Sequence, residues 1–274
     1  MFNYINRKSP IHALTGATKL SCLLLWTLAA MTTFDTRLLA ALAVLAFVLM
    51  AVSRIRISDV KILFWFSFVF MVLNNILIFL FSPEHGCTIY GSRTEICHLF
   101  LRYYLVKEQL FYQFNVVLKY LATIPVVIVF VSTTDPSEFA SSLNRIGISY
   151  KIAYSVSLAL RYIPDIQREY HDISNSQQAR GLEMASRKQS LIKRLKNAVM
   201  MIFPLIISSM DRIERIANAM ELRGFGKDRK RTWYSARPFR FADYIAIVVC
   251  VLMLAASIVL NVVNGGRYFN PFVL

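Results

Sequence analysis

The chain has no glycine-rich phosphate loop. Its nearest approach, Gly224-Phe225-Gly226-Lys227-Asp228, is too short and lacks the Ser or Thr hydroxyl that would hold magnesium, which excludes ATP hydrolysis by this chain. Also missing are a nucleophile–base pair and paired carboxylates in a metal-binding arrangement, so no catalytic residue and no metal ligand set is assigned. The closest cluster, His171-Asp172 beside Glu169, reads as a solvated polar face of a helix. Charge is scarce at 17% of residues, and acidic charge scarcest, with 16 Asp and Glu against 31 Lys and Arg. A soluble domain of this length carries about 25% charged residues, so the composition excludes an ordinary soluble fold.

What is present is apolar. Hydrophobic residues make up 56% of the 274 positions and the mean hydropathy is +0.49, values of a polytopic membrane protein. Residues 62–81 and 244–263 carry no charge, and each run is long enough to cross a hydrocarbon core of roughly 30 Å. Residues 20–34 and 38–53, separated by Asp35-Thr36-Arg37, read as a tight helical hairpin whose ends are lengthened by snorkelling Lys19 and Arg54. A fifth run, from about 111 to 133, contains Lys119 and Pro125. It reads as a span that kinks at the proline and keeps the lysine near a helix neighbour or a headgroup. The expected fold is therefore an all-α polytopic membrane protein of about five transmembrane helices, with long amphipathic helices between the fourth and fifth. The first run is followed almost at once by the next, which excludes a cleaved signal peptide ahead of a soluble domain. The expected organisation is a four-span membrane domain over residues 1–134, a polar helical region over 135–240, and a final span with an outer tail over 241–274.

The net charge of +15 is unevenly spread. Residues 145–240 hold 19 Lys and Arg against 8 Asp and Glu. Because positive loops stay inside, this stretch is expected in the cytoplasm, together with Arg7-Lys8 and the loop from Arg54 to Lys61, and five spans satisfy all three placements. The connection over 82–109 then faces out. Cys87 and Cys97 lie in it, in an oxidising compartment, and are expected to form a disulfide. A zinc site built with His85 and His98 is the alternative. Cys22 and Cys250, inside spans, read as small buried apolar residues. Asn74 and Asn75, mid-span, read as interhelical hydrogen-bonding groups, with a substrate path as the alternative. The basic residues 227–231 with Trp233 and Tyr234 read as an anchor on anionic lipid, not a nucleic-acid patch.

Between 135 and 240 the pattern turns amphipathic. Asp135-Pro136-Ser137-Glu138 opens a helix with a cap, a proline at the first helical position and an acidic first turn, and that helix ends near Asn144-Arg145-Ile146-Gly147. A longer helix runs from about Tyr150 toward Arg180, with a bend or restart expected at Pro164. In the third, Ile206, Met210, Ile213, Ala217 and Met220 recur at steps of four and three and form one apolar stripe. Asp211, Arg212, Glu214, Arg215, Asn218 and Glu221 fall opposite. Such a helix is too polar to span and can lie along a membrane surface or on other helices.

Two of these helices end alike, in Ser176-Gln177-Gln178-Ala179-Arg180-Gly181-Leu182 and Ala219-Met220-Glu221-Leu222-Arg223-Gly224-Phe225. A glycine just past a helix end supplies the left-handed residue of a C-cap, and an arginine before it lies beside unpaired carbonyls, so capping alone explains one instance. Two instances, each closing an amphipathic helix on the same side, point to a shared docking role, because a guanidinium fixed at a helix tip is a planar bidentate donor for carboxylates in a partner's groove.

In their order and spacing these elements resemble the transmembrane T component of energy-coupling-factor transporters, importers of vitamins and metal ions. The resemblance covers most of the chain. It rests on Ser9-Pro10-Ile11-His12-Ala13-Leu14 and Thr18-Lys19-Leu20, on Thr134-Asp135-Pro136 with Leu143, on Leu160-Arg161-Tyr162-Ile163-Pro164, and most specifically on the two Arg-Gly ends. Thr15-Gly16-Ala17 replaces the family's frequent Asp-Pro-Arg, and Leu222 replaces the usual small or acidic residue. The resemblance implies that Ala179, Arg180 and Gly181 dock one ATPase subunit and Leu222, Arg223 and Gly224 another. It also implies a separate membrane-embedded S component that binds the substrate, and ATP and magnesium held by the ATPases, with no cofactor in this chain. The unequal residues before the arginines favour two different ATPases. The competing classes are a membrane enzyme acting on lipid or prenyl substrates, which would be active alone, and a permease with its own substrate site.

Overall fold

A computed structural model describes residues 9–92, 94–100, 103–181, 191–228, 232–234 and 236–271. Arg7-Lys8, Leu182, residues 229–231 and the side chains of Cys97 and His98 lie outside the described residues. In chain order the elements are α1 (Pro10–Ala13), α2 (Gly16–Thr32), α3 (Thr36–Val52), α4 (Ile57–Phe81), α5 (His85–Tyr90), β1 (Glu95–Phe100), β2 (Tyr103–Val106), α6 (Lys107–Thr133), α7 (Pro136–Arg145), α8 (Tyr150–Ala179), α9 (Leu191–Leu222) and α10 (Phe241–Val263). They fall into two compact units. Unit 1 comprises Met1–Glu138 with Arg237–Leu274, and unit 2 comprises Phe139–Ala236.

Unit 1 is the apolar bundle. Segments of α4, α6 and α10 are long and apolar enough to cross a membrane, and α2 and α3 are apolar helices of 17 residues each. The α2–α3 hairpin packs on α6 and α10 through small residues: Ala29, Ala30, Ala46 and Ala122 are wholly buried, which lets the backbones approach closely without a hydrophobic drive from lipid. Trp26, Leu42 and Cys250 fill the layer between them, with Cys22 packed against it. The indole N–H of Trp26 donates to the Ala122 carbonyl at 2.9 Å, within the turn that Pro125 interrupts, and α6 continues through that proline. On α10, Ser257 and Asn261 donate to the Ala29 and Thr32 carbonyls at the end of α2, and Asn264 reaches the Asp35 carboxylate at 2.9 Å. Asp35 also caps α3 by accepting from the Arg37 N–H at 2.9 Å. Polar atoms in a bundle with no water must find partners, and these do so across helices.

Lys19 does not snorkel. It is only 7% exposed, and its ammonium donates to the Thr133 carbonyl at 2.9 Å, at the negative end of α6. Lys119 lies against a helix neighbour: its Nζ donates to the Met31 carbonyl at 3.3 Å and sits 3.2 Å from the centroid of the Phe34 ring. Asn75 bonds within its own helix, Nδ2 to the Met71 carbonyl, and the bond between α4 and α6 is made by Gln113 to the Asn75 main-chain oxygen at 3.2 Å.

The far end of unit 1 is more structured than a flexible connection. Helix α5 lies directly on the start of α6, where Gly86 donates to Gln109 Oε1 at 2.7 Å and a Cβ at position 86 would stand 2.6 Å from the Gln109 backbone. Strands β1 and β2 pair antiparallel, and the buried Glu108 accepts from the Thr94 hydroxyl at 2.6 Å and the Ser92 hydroxyl at 3.0 Å. The tail returns across this end: the Phe34 N–H bonds the Arg267 carbonyl at 2.8 Å, and the Phe34 and Tyr268 rings stack at 4.6 Å. The fold is otherwise helical among the described residues.

In unit 2, α8 and α9 run antiparallel side by side. Asp135 caps α7, its carboxylate accepting from the Ser137 N–H at 2.8 Å, and Gly147 leaves that helix at a φ of +110°. A bend or restart is expected at Pro164; α8 does not restart there, and α9 likewise continues through Pro204.

Candidate functional site

Each Arg-Gly pair closes a long helix of unit 2. The Gly181 N–H bonds the Gln178 carbonyl at 2.9 Å, with Gly181 at a φ of +88° and Arg180 as the last residue before it. At the second end both bonds of a Schellman motif are present: Gly224 N–H to the Glu221 carbonyl at 2.8 Å, and Phe225 N–H to the Met220 carbonyl at 2.9 Å. Gly224 stands at a φ of +65°, a conformation costly for any residue with a Cβ. Ala179, Arg180, Gly181, Leu222 and Arg223 are all exposed, and Leu222 is 90% exposed. A leucine so placed buries nothing within its own unit.

The two ends differ in how they are braced. After Gly224 the chain turns Phe225 back onto α8, its ring 4.8 Å from Tyr154 and 5.6 Å from the buried Tyr150. Trp233 joins this nest 6.4 Å from Tyr154, and its indole donates to Asn144 Oδ1 at 3.1 Å. Trp233 thus packs within unit 2, whereas Tyr234 is fully exposed. The nest fixes the end of α9 beside the start of α8. With α9 antiparallel to α8, the tips lie at opposite ends of the pair: the 26 steps from Tyr154 to Arg180 rise roughly 40 Å at about 1.5 Å each. No single small groove reaches both arginines.

The pair is bolted near its middle. Glu169 Oε2 meets Arg212 Nη2 at 2.5 Å, Ser208 donates to the other carboxylate oxygen, and Arg212 lies over the Tyr162 ring at 5.9 Å. Glu169 is therefore a structural ion-pair partner, not part of a solvated face, and Arg212 points inward although its position in the sequence put it on the polar side of α9. The face of α9 turned inward is Met201, Leu205, Ser208, Arg212, Ile216 and Met220, about one position off the expected apolar stripe. Ile206, Met210 and Ile213 of that stripe are at least half exposed, as are Val199 and Phe203. An ion pair near the middle of the pair sets the rotation of α9, and the apolar face is left outward. Sequence periodicity identified that face and not its direction.

Apolar helices in one unit and a braced pair of amphipathic helices in the other define a polytopic helical membrane protein. The chain belongs to the CbiQ family, described as cobalt transport protein, whose model matches residues 7–234. It is 27% identical to the energy-coupling factor transporter transmembrane protein EcfT of Bacillus selenitireducens over 96% of this chain and 97% of that one. To the EcfT of Streptococcus equi it is 25% identical over 91% and 92%. It is 35% identical to the EcfT of Limosilactobacillus fermentum over 46% of this chain, and there it spans about half (49%) of that relative's length.

Proposed function

We propose that this chain is the non-enzymatic coupling subunit of an energy-coupling-factor importer, which passes ATP-driven motion from two ATPase subunits to a membrane-embedded S component. ATP and magnesium are bound by the ATPases. The carrying observation is the pair of exposed Arg-Gly tips held roughly 40 Å apart on one bolted helix pair, a spacing that suits one ATPase on each tip. Ala179, Arg180 and Gly181 contact one ATPase, and Leu222, Arg223 and Gly224 the other. The arginines act as bidentate donors to acidic grooves. The excess of Lys and Arg in residues 145–240 supports a cytoplasmic position for this face and for the amino terminus. Family membership and the names of the relatives support the same reading. The outward apolar face of α9, and α4, most of whose surface is uncovered, are suited to lipid and to an apolar membrane partner such as the S component. Rigid helices that two partners bias together make a lever of the kind that domain closure drives.

The test is affinity purification of the tagged chain from native membranes, followed by mass spectrometry and an ATPase assay. Two ATPase chains and a small hydrophobic protein are the expected companions. Recovery of the chain alone, with activity on a lipid or binding of a substrate, would reassign it to one of the competing classes.

A further inference from the structure

Both chain crossings between the units leave unit 1 at one place. Glu138 is its last residue on the way out and Arg237 its first on the way back, and Arg237 Nε lies 3.9 Å from Glu138 Oε1. Beneath this pair is the corner between α1 and α2. The Gly16 N–H, an orphan donor of the first turn of α2, is accepted by Glu138 Oε1 at 2.9 Å, and the neighbouring Thr15 N–H by Asp243 Oδ1 at 2.9 Å. Asp243 also accepts the Arg240 N–H at 2.7 Å and so starts α10. Lys19, one turn further along α2, holds the last carbonyl of α6 and lies within electrostatic reach of Glu138, Asp243 and Arg237. Two positive and two negative charges thus meet. Lys19, Glu138 and Asp243 are buried, and only Arg237 is more than half exposed.

An isolated charge would not survive in such a place, and a balanced set does so only with its hydrogen bonds filled. Apolar side chains of the same volume would hold four helix ends together at least as firmly. What the charged set adds is direction, because each carboxylate bonds one particular N–H and the ammonium one particular carbonyl. Resting on the coupling role proposed above, we infer that residues 15–19 form the joint through which motion enters the membrane bundle, with Lys19, Glu138 and Asp243 as positioning residues that keep the starts of α7 and α10 in register with α2 and α6. A displacement arriving along either connection is then delivered to three bundle helices together. A loose joint would let the connections move without the bundle.

The joint predicts a loss of coupling rather than of assembly. The complex is purified through the full-length chain, wild type or variant, reconstituted in liposomes, and assayed for substrate uptake and ATP hydrolysis per assembled complex. Lys19→Met and the gentler Glu138→Gln, which keeps an acceptor for Gly16, are expected to recover the same partners and to hydrolyse ATP while uptake per ATP falls at least tenfold. The double variant restores charge balance and is expected to raise the yield without restoring that ratio. A purely structural role would lower yield, hydrolysis and uptake in parallel, so an unchanged ratio in the complexes recovered overturns the joint. If Lys19→Met yields no complex, the ratio for Glu138→Gln decides. A wild-type chain that brings down no ATPase refutes the coupling role itself, and the joint with it, before any variant is compared.

Discussion

The bolt between α8 and α9 is the feature of unit 2 whose removal has the most calculable effect. Glu169 accepts charge-assisted bonds from Arg212 and Ser208, and the two charged side chains are only 19% and 29% exposed. Hydrogen bonds to charged groups contribute about 1.5–3 kcal/mol each when well buried. Discounting for partial exposure and for water that replaces the lost partner, Glu169→Ala should cost about 2 kcal/mol. For a unit of about 100 residues, at 4–8 °C per kcal/mol, that lowers the midpoint of thermal unfolding by roughly 10 °C. Glu169→Gln keeps the shape and loses the charge, so it should cost about half as much. The informative variant is the double. Glu169→Ala leaves Arg212 half-buried and unpaired, whereas Glu169→Ala with Arg212→Met removes both charges, and the two changes should couple by about 1 kcal/mol or more. The assay is the fraction of detergent-solubilised protein that stays monodisperse after heating, supported by limited proteolysis between α8 and α9. Strict additivity of the two substitutions would refute the bolt, as would an unchanged midpoint for Glu169→Ala.

Gly86→Ala should destabilise unit 1 by about 1–3 kcal/mol, read as a lower thermal midpoint, because its Cβ would stand 2.6 Å from the backbone of α6 and overpacking cannot relax there. Gly224→Ala should cost about 1–2 kcal/mol locally, seen as faster amide exchange over residues 220–225 with the rest of α9 unchanged. Phe225→Ala, a half-buried aromatic in the nest of Tyr150 and Tyr154, should cost roughly 2 kcal/mol and weaken docking at the Arg223 tip while leaving the Arg180 tip intact. Equal loss at both tips would show that the nest does not position Arg223 alone.

The five apolar helices were legible because lipid demands long uncharged runs, and residues 62–81 and 244–263 fall within α4 and α10. The ends of α8 and α9 were legible too, since a glycine at positive φ after a polar turn is a local signal. The β ribbon was not. The two residues between its strands, Leu101 and Arg102, lack the Gly or Asn that marks a hairpin turn. Nor was the polar corner at residues 15–19. Lys19 sits at the head of an apolar run and so reads as a snorkelling cation, and its partners Thr133, Glu138 and Asp243 are more than 100 positions away. The face of α9 that packs was missed for the same reason. Its rotation is set by Glu169, 43 positions earlier, and no periodicity within one helix records a partner on another.

The central claim is that each arginine tip holds one ATPase. The most direct measurement is native mass spectrometry of complexes purified through the full-length chain, comparing wild type with Arg180→Ala, Arg223→Ala and the double variant, each checked for membrane insertion. If buried bidentate arginines are worth 2–4 kcal/mol at such an interface, single variants should weaken one ATPase by roughly 30- to 1,000-fold. The wild type should then carry two ATPase chains, each single variant one, and the double variant none. A double variant that inserts normally and still carries both would contradict the account.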